Sequence, residues 1–571
     1  MRQQYYILFL FLIFTVNIEA QEFTKDIKPD PKFAKYCILF NNYIDGLKEY
    51  KMLLSERPQN VEYHIGAAIC YLNLYRDKQK AVEHLEWVIK QKKFDEKAYY
   101  YLGQAYLQTY RFDSAITMFE KYLSVANKDE NRISAKRMIE ICNNAKELTA
   151  SPENVEISNL GKYINTKYPE FNPYIPSNET MIVFNSQRKS NLGNYAFYDG
   201  YYPSDIYFSY FKFGKWKKAR RLNSAINSTN IEKVVGLTGD GSQMFFIKED
   251  IKGNKETYYS KKRGKYYRQP EPVFIKDADY EKIYSLTISP DNKYLIFSAE
   301  HKGGYGGKDL YLSFRMPNGY WSNASLLDST VNTQWDEDYP YFSPDGRYFF
   351  FASEGHKSMG GFDIFKAHWV LDDSTHIRNV ANLGYPVNTP LDDKTISLSK
   401  SGRYGYIASF RNDGFGDLDI YRVIFKDEQP RYSVIRGAIY GPDSTRFDVV
   451  IKRINDHIDT LNFPVNREYK RLLLKKKDTA AAYAELAKKI PYEKINVKII
   501  ALNKETGETF GNFIARNDTA NYSVILPPGR WKLIFKRQGY DDYIIDDLVI
   551  EERDRRNRMI NKNVVLTQKA D

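Results

Sequence analysis

The stretch SPDGRYFFFASEGHKSMGGFDIF, residues 343–365, sets how this chain folds. Its opening Ser-Pro-Asp-Gly is turn chemistry, RYFFFAS is an apolar strand, and a Gly-rich turn then leads into Asp, aliphatic, aromatic. The phrase also stands as SPDNKYLIFSAEHKGGYGGKDLY at 289–311 and as SKSGRYGYIASFRNDGFGDLDIY at 399–421. One such unit cannot bury both of its faces, so repetition on a period of about 50 residues points to stacked propeller blades. Two weaker copies precede these. One is YPEFNPYIPSNETMIVFNSQR at 168–188, followed by Asp205-Ile206-Tyr207, and the other is LTGDGSQMFFIKED at 237–250, followed by Thr257-Tyr258-Tyr259. The expectation is an all-β propeller over 157–425 with five blades, or six if the ends complete another.

On the N-terminal side, residues 29–148 carry helical periodicity. Tyr99, Leu102, Gly103, Tyr106, Ala115 and Phe119 have the spacing of a tetratricopeptide repeat, in which small Gly and Ala let two helices approach while larger residues fill between them. Ile65, Gly66, Ala81 and Leu85 repeat the pattern, and Gly46, Tyr50, Leu53 and Pro58 repeat its second half. These residues predict an all-α solenoid of about three hairpins and a closing helix. On the other side, residues 432–567 alternate again, with VIRGAIYG at 434–441, INVKIIAL at 495–502 and a Pro-Pro-Gly turn at Pro527. That pattern predicts a small β-sandwich, its first two strands separated by a charged helical insertion at 453–489. The insertion reads either as a surface helix over the sandwich or as a docking element.

The 571 residues include 43% hydrophobic and 15% aromatic side chains, which excludes wholesale disorder and suits several β-rich cores. A formal charge of +12 reads first as a lysine-rich solvated surface, with an anionic envelope surface as the other reading. The basic run KFGKWKKARR at 212–221 aligns with Gly264 and Gly319 in later blades and reads as a recurring interblade turn. At the start, MRQQYYILFLFLIFTVNIEAQ has a cationic end, a short apolar run and Ala20 before a cleavage position. Residues 1–20 therefore read as a signal peptide, the apolar run being short for a membrane span. Export sets nucleic acid aside as a partner. Cys37, Cys70 and Cys142 show no metal-ligand spacing and read as buried small side chains, with one disulfide left open.

No catalytic constellation emerges: there is no GxSxG elbow, and the glycines at 303–307 are followed by a strand rather than the helix of a phosphate loop. Those glycines are expected to supply positive φ in a tight hairpin. Asp413, Asp417 and Asp419 faintly resemble a calcium loop without its bidentate Glu, while the alternative is an Asp that satisfies backbone amides of the turn. His301 and His356 recur after blade strands and, with the loop aromatics Tyr305 and Phe415, form a candidate ligand or partner face. No enzyme, cofactor or resident metal is expected.

The blade phrase resembles the WD-like repeats of TolB-type propellers. Residues 432–567, through VIRGAIYG, YSVILPPGRWKLIFKRQGY and the final strand, resemble the carboxypeptidase regulatory-like domain, a sandwich without peptidase activity. Helical repeats, propeller and sandwich in this order, with NLGYPVNTPLDD at 382–393 as interblade linker, are similar to the PorE type of periplasmic proteins of Bacteroidota. That resemblance implies a non-catalytic scaffold of a type IX secretion or gliding complex. It would sit in the periplasm, at the inner face of the outer membrane, peripheral to it and held by β-barrel or secretion partners. Proteins of that type end in an OmpA-like domain that this sequence lacks at Asp571, so no direct peptidoglycan anchor is expected. A soluble glycan- or peptide-binding protein using the propeller face is the competing expectation.

Overall fold

Five antiparallel sheets, each built on a run of four strands and set one after another, form the centre of the chain in a computed structural model. The structure describes residues 28–126, 128–197, 199–264, 266–275, 282–370, 377–428, 432–461, 493–550 and 559–569. The expected signal peptide and most of the 453–489 insertion lie outside these residues. The chain divides into two units, Met1–Ala105 with Tyr198–Gly200, and Tyr106–Phe197 with Tyr201–Asp571.

In the first unit, helices Pro31–Leu39, Tyr43–Glu56, Val61–Asn73 and Lys78–Val88 follow in sequence. Asp30, Asn42 and Asn60 each cap a helix by accepting from a backbone N–H of its first turn. Ala34, Tyr50, Leu53, Tyr63, Ala67 and Cys70 form their core. Gly66 is required by packing, because a Cβ there would lie 2.2 Å from the Tyr50 ring. All three cysteines are free and buried, so the open question of a disulfide closes on buried thiols. The described elements over 29–148 are all helices. Helix Lys97–Gln108 runs across the division at Ala105, and helices Phe112–Val125 and Asp129–Ala150 belong to the mostly β second unit.

Blade I comprises Glu170–Tyr174, Met181–Ser186, Asp205–Lys212 and Lys215–Trp216, and blade II Ile231–Leu237, Gln243–Glu249, Lys255–Arg263 and Tyr266–Tyr267. Blade III has Ile283–Ile288, Tyr294–Ala299, Asp309–Phe314 and Ser325–Leu326, and blade IV has Glu337–Phe342, Tyr348–Ser353, Asp363–Trp369 and Ile377–Asn382. Blade V is built differently. Ile396–Leu398, Tyr404–Ser409 and Asp419–Phe425 are completed by Val155–Asn159, paired from Val155↔Phe425 to Asn159↔Tyr421. The earliest strand thus closes the last blade, and the count among the described residues is five. The run at 212–221 is not an interblade turn. It forms the outer strands Lys215–Trp216 and Arg220–Arg221 of blade I, because Gly214 at φ +71° turns the chain back on its own sheet.

Beyond the propeller, Ser433–Tyr440 pairs with Asn521–Leu526 and, in parallel, with Met559–Asn561 and Val564–Val565. A second sheet runs Thr509–Ile514, Lys498–Asn503, Gly529–Lys536, Tyr543–Ile550. Ile435, Val497, Ile499, Trp531, Leu533 and Phe535 fill the core between the sheets. The helix between the first two strands starts at Phe447, ahead of the expected 453, and buries Phe447 and Ile451 in that core. No described helix is long and apolar enough to cross a membrane.

Candidate binding surface

A four-residue device, not recognised in the sequence, holds the blades and positions their loops. Before blades I, II, IV and V stands Asn-Thr/Ser, with an acid four residues after the hydroxyl: Asn165/Thr166/Glu170, Asn227/Ser228/Glu232, Asn332/Thr333/Glu337 and Asn388/Thr389/Asp393. Each Asn carboxamide brackets one residue in the third strand of the preceding blade. Asn332 accepts from Leu310 N at 2.8 Å and donates to Leu310 O at 3.0 Å. Asn388 does the same to Ile364, Asn227 to Ile206, and Asn165 to Ile420 across the ring closure. The Thr333 amide and hydroxyl both donate to Glu337 at 2.8 Å, and Ser353 donates to the same carboxyl at 2.6 Å.

Burial raises the Glu232, Glu337 and Asp393 carboxyls to about 7 and raises Glu170 as well. A carboxyl near 7 is also what general acid–base chemistry would need. These four are at most 1% exposed, and their oxygens are engaged by their own linker, so they work as interblade clasps.

In blade V the Asp at the entry of the third strand is likewise engaged. Asp419 accepts from Phe415 N at 2.6 Å, Gly416 N at 3.2 Å and Asn159 Nδ2 at 2.8 Å. Asp413 accepts from the Tyr421 hydroxyl at 2.9 Å, and Tyr201 donates to Asp417. No group of three metal-ligating side chains with metal-site geometry occurs among the described residues. The Gly-rich turns differ from the expectation of positive φ, which in the 303–307 run only Gly303 shows, at +98°. The glycines serve close approach instead. A Cβ on Gly306 would lie 2.2 Å from the Trp335 carbonyl oxygen, on Gly360 2.5 Å from that of Leu391, and on Gly416 2.5 Å from that of Thr166. Each turn is therefore pressed onto the next blade's linker.

These turns carry the predicted loop residues, and the structure separates them. Tyr305 and Phe415 are 49% and 45% exposed, on blades III and V. The equivalent residue of blade IV, Met359, is wholly buried. His301 packs edge-on against Tyr311 of its own blade, 6.2 Å between ring centres. His356 packs among Phe351 and Phe365, its Nε2 2.7 Å from the Val331 carbonyl oxygen, and burial lowers its pKa.

Helix Asp129–Ala150 accounts for this asymmetry. Arg137 reaches from it into the blade IV turn and donates to the carbonyls of Glu354 (2.6 Å), Gly355 (2.9 Å) and His356 (3.3 Å) and to Ser358 Oγ (2.7 Å). Its guanidinium also faces the Trp335 ring at 5.6 Å and pairs with Glu140 at 2.9 Å. Asn144 donates to Ser358 O at 3.0 Å, and Lys357 pairs with Glu147. His356 is thus part of a docking seam, while Tyr305 and Phe415 remain as exposed aromatics on either side of blade IV. Nothing near Arg137 in the sequence marks it, since its hydrogen-bond partners stand more than 200 residues away, whereas the Asn-Thr-acid spacing is a repeat that a sequence search could find.

No family model matches the chain. No curated protein matches it either. Similar solved structures include TolB from Acinetobacter baumannii, 17% identical, covering 45% of this chain and 55% of its own, with a TM-score of 0.29. A BT0996–RGII complex is 10% identical, covers 50% of this chain and 95% of its own, and has a TM-score of 0.36. A glycoside hydrolase is 11% identical with the same coverage and a TM-score of 0.34. The chain therefore spans little more than half of TolB, and the propeller assignment rests on the strand pairing given above.

Proposed function

We propose that this chain is a non-catalytic periplasmic adaptor that gathers partners of an outer-membrane assembly, of the type IX secretion or gliding kind. In this reading the helices of 29–148 act as tetratricopeptide hairpins and the sandwich as a carboxypeptidase regulatory-like domain, the order found in PorE-type proteins. One observation carries it: Arg137 fixes helix Asp129–Ala150 onto blade IV through four hydrogen bonds, which holds a helical surface beside a propeller surface. Binding surfaces linked in one chain gain avidity without new contacts. Affinity purification of the tagged protein from crosslinked, detergent-solubilised envelopes tests this. Outer-membrane β-barrels or secretion components should co-purify in fixed ratio, and recovery of the protein alone from the soluble periplasm would overturn the reading.

A second reading is favoured by the exposed rings of Tyr305 and Phe415: a glycan- or peptide-binding protein using the propeller face. A thermal-shift screen with envelope glycans checks it, and no stabilisation by any of them would count against it.

A further inference from the structure

We infer that a cleft between blades IV and V binds a short peptide segment carrying both an acidic and a basic side chain. The cleft has a volume of roughly 650 Å³, in the range of ligand sites. Two departures from the repeat open it. Leu295 of blade III and Phe349 of blade IV occupy the same place in the phrase, and each is buried against the preceding blade, Leu295 with Val235 and Phe245 and Phe349 with Ile296 and Leu312. Blade V has Gly405 there, and a Cβ on it would meet Phe425 at 3.1 Å and Leu398 at 3.4 Å, both of which line the cleft. In the third strand, Phe208 and Leu312 of blades I and III give way to Lys366 in blade IV, which lines the cleft.

Lys366 lies half-buried, its Nζ 4.0 Å from the centre of the Tyr348 ring, and no described carboxylate pairs with it. His368 packs edge-on against the same ring at 5.0 Å, and Lys400 enters from the blade V hairpin. A cation withdrawn from water without a counter-charge favours an incoming anion. Glu153, Asp427 and Glu428 line the cleft where the first and last strands of the ring pair, so it offers carboxylates as well as cations. Asp345 also lines the cleft, paired with Arg347 at 2.6 Å, and the four carboxylates together oppose a phosphate or other polyanion. A sugar would want a free aromatic face, and Lys366 occupies one face of Tyr348. A carboxylate met by Lys366 and an amine met by the acids, borne on one short chain, satisfies both.

Isothermal calorimetry at low salt tests this with the full chain and four blocked tetrapeptides, Asp-Gly-Gly-Lys, Asp-Gly-Gly-Asp, Lys-Gly-Gly-Lys and Gly-Gly-Gly-Gly. The mixed-charge peptide should bind about tenfold more tightly than the others, the size expected when a charge-assisted pair is lost. Lys366→Met should remove that preference, and Ala381→Trp, at an exposed strand position lining the cleft, should block binding while the melting temperature holds. Equal binding of all four peptides, or unchanged binding by Lys366→Met, would overturn the inference. Displaying the Asp-Gly-Gly-Lys sequence in an exposed loop of a folded carrier separates the sources: retained binding assigns a partner's segment, and binding of the free peptide alone assigns a small ligand. Neither result bears on the envelope purification, so the adaptor reading and this one fail separately.

Discussion

Replacing Arg137 by Met should release helix Asp129–Ala150 from blade IV without unfolding the propeller. The side chain is 9% exposed, and its guanidinium satisfies three backbone carbonyls and one hydroxyl in a single turn. Each hydrogen bond from a charged donor is worth about 1.5–3 kcal/mol, and the carbonyls of Glu354, Gly355 and His356 would lose this donor. Part of the loss returns as water reaches the opened seam, and the ion pair with the 57% exposed Glu140 adds little. A local cost of about 3–5 kcal/mol results, as for other truncations that strip a buried charged partner. Hydrogen exchange reads this directly: amides of 129–150 should exchange some 100-fold faster or more, by the rule of about 1.4 kcal/mol per tenfold, while those of Met181–Ser186 keep their protection. Arg137→Lys should recover little, because a point charge does not reproduce the planar fork of donors. Unchanged exchange in that helix, or equal loss of protection in blades I and IV, would refute the idea that Arg137 acts as a local clamp.

Other consequences follow from the same geometry. Asn332→Ala removes both hydrogen bonds to Leu310 and one to Leu327 and should cost about 3 kcal/mol in urea unfolding, against less than about 0.5 kcal/mol for the exposed Tyr305→Ala. Gly360→Ala forces a Cβ to 2.5 Å from two carbonyl oxygens and should lower the melting temperature by several degrees, at about 2–4 °C per kcal/mol for a domain of this size. Glu232, Glu337 and Asp393, near 7 in the folded state, hold protons that the unfolded chain releases near 4. Their contribution is full below the unfolded value and is lost as pH rises through about 7, so blade protection should fall between pH 5 and 8, and Glu337→Gln should flatten that dependence. His84 has the opposite sign. Burial and the neighbouring His64 lower it to about 4, so the first unit should lose stability as pH falls from about 6.5 towards 4, measured by exchange in helix Lys78–Val88.

The blades, their hairpins and the Asp at four of the third-strand entries could be read from the residues alone, because those features depend on positions within one phrase. Ser343 Oγ accepts from Tyr348 N five positions later, and Asp419 accepts from amides three and four positions earlier, so turn chemistry carried the information. The sandwich was legible where strands alternate, while Thr509–Ile514 and Tyr543–Ile550, mixed in their exposure, were not. What lies between the phrases emerges only when the chain is folded. Ring closure joins Val155 to Phe425, Arg137 finds Glu354, and the meaning of Gly405 appears only against Phe349 of the neighbouring blade. The candidate face shows the same limit. His301, Tyr305, His356 and Phe415 all lie in the Gly-rich turns of the repeat, but a helix from outside the propeller covers one blade and leaves its neighbours open. Such contacts are set by which surfaces the stacked blades bring together across 50 to 270 residues, and no local periodicity encodes a partner at that distance.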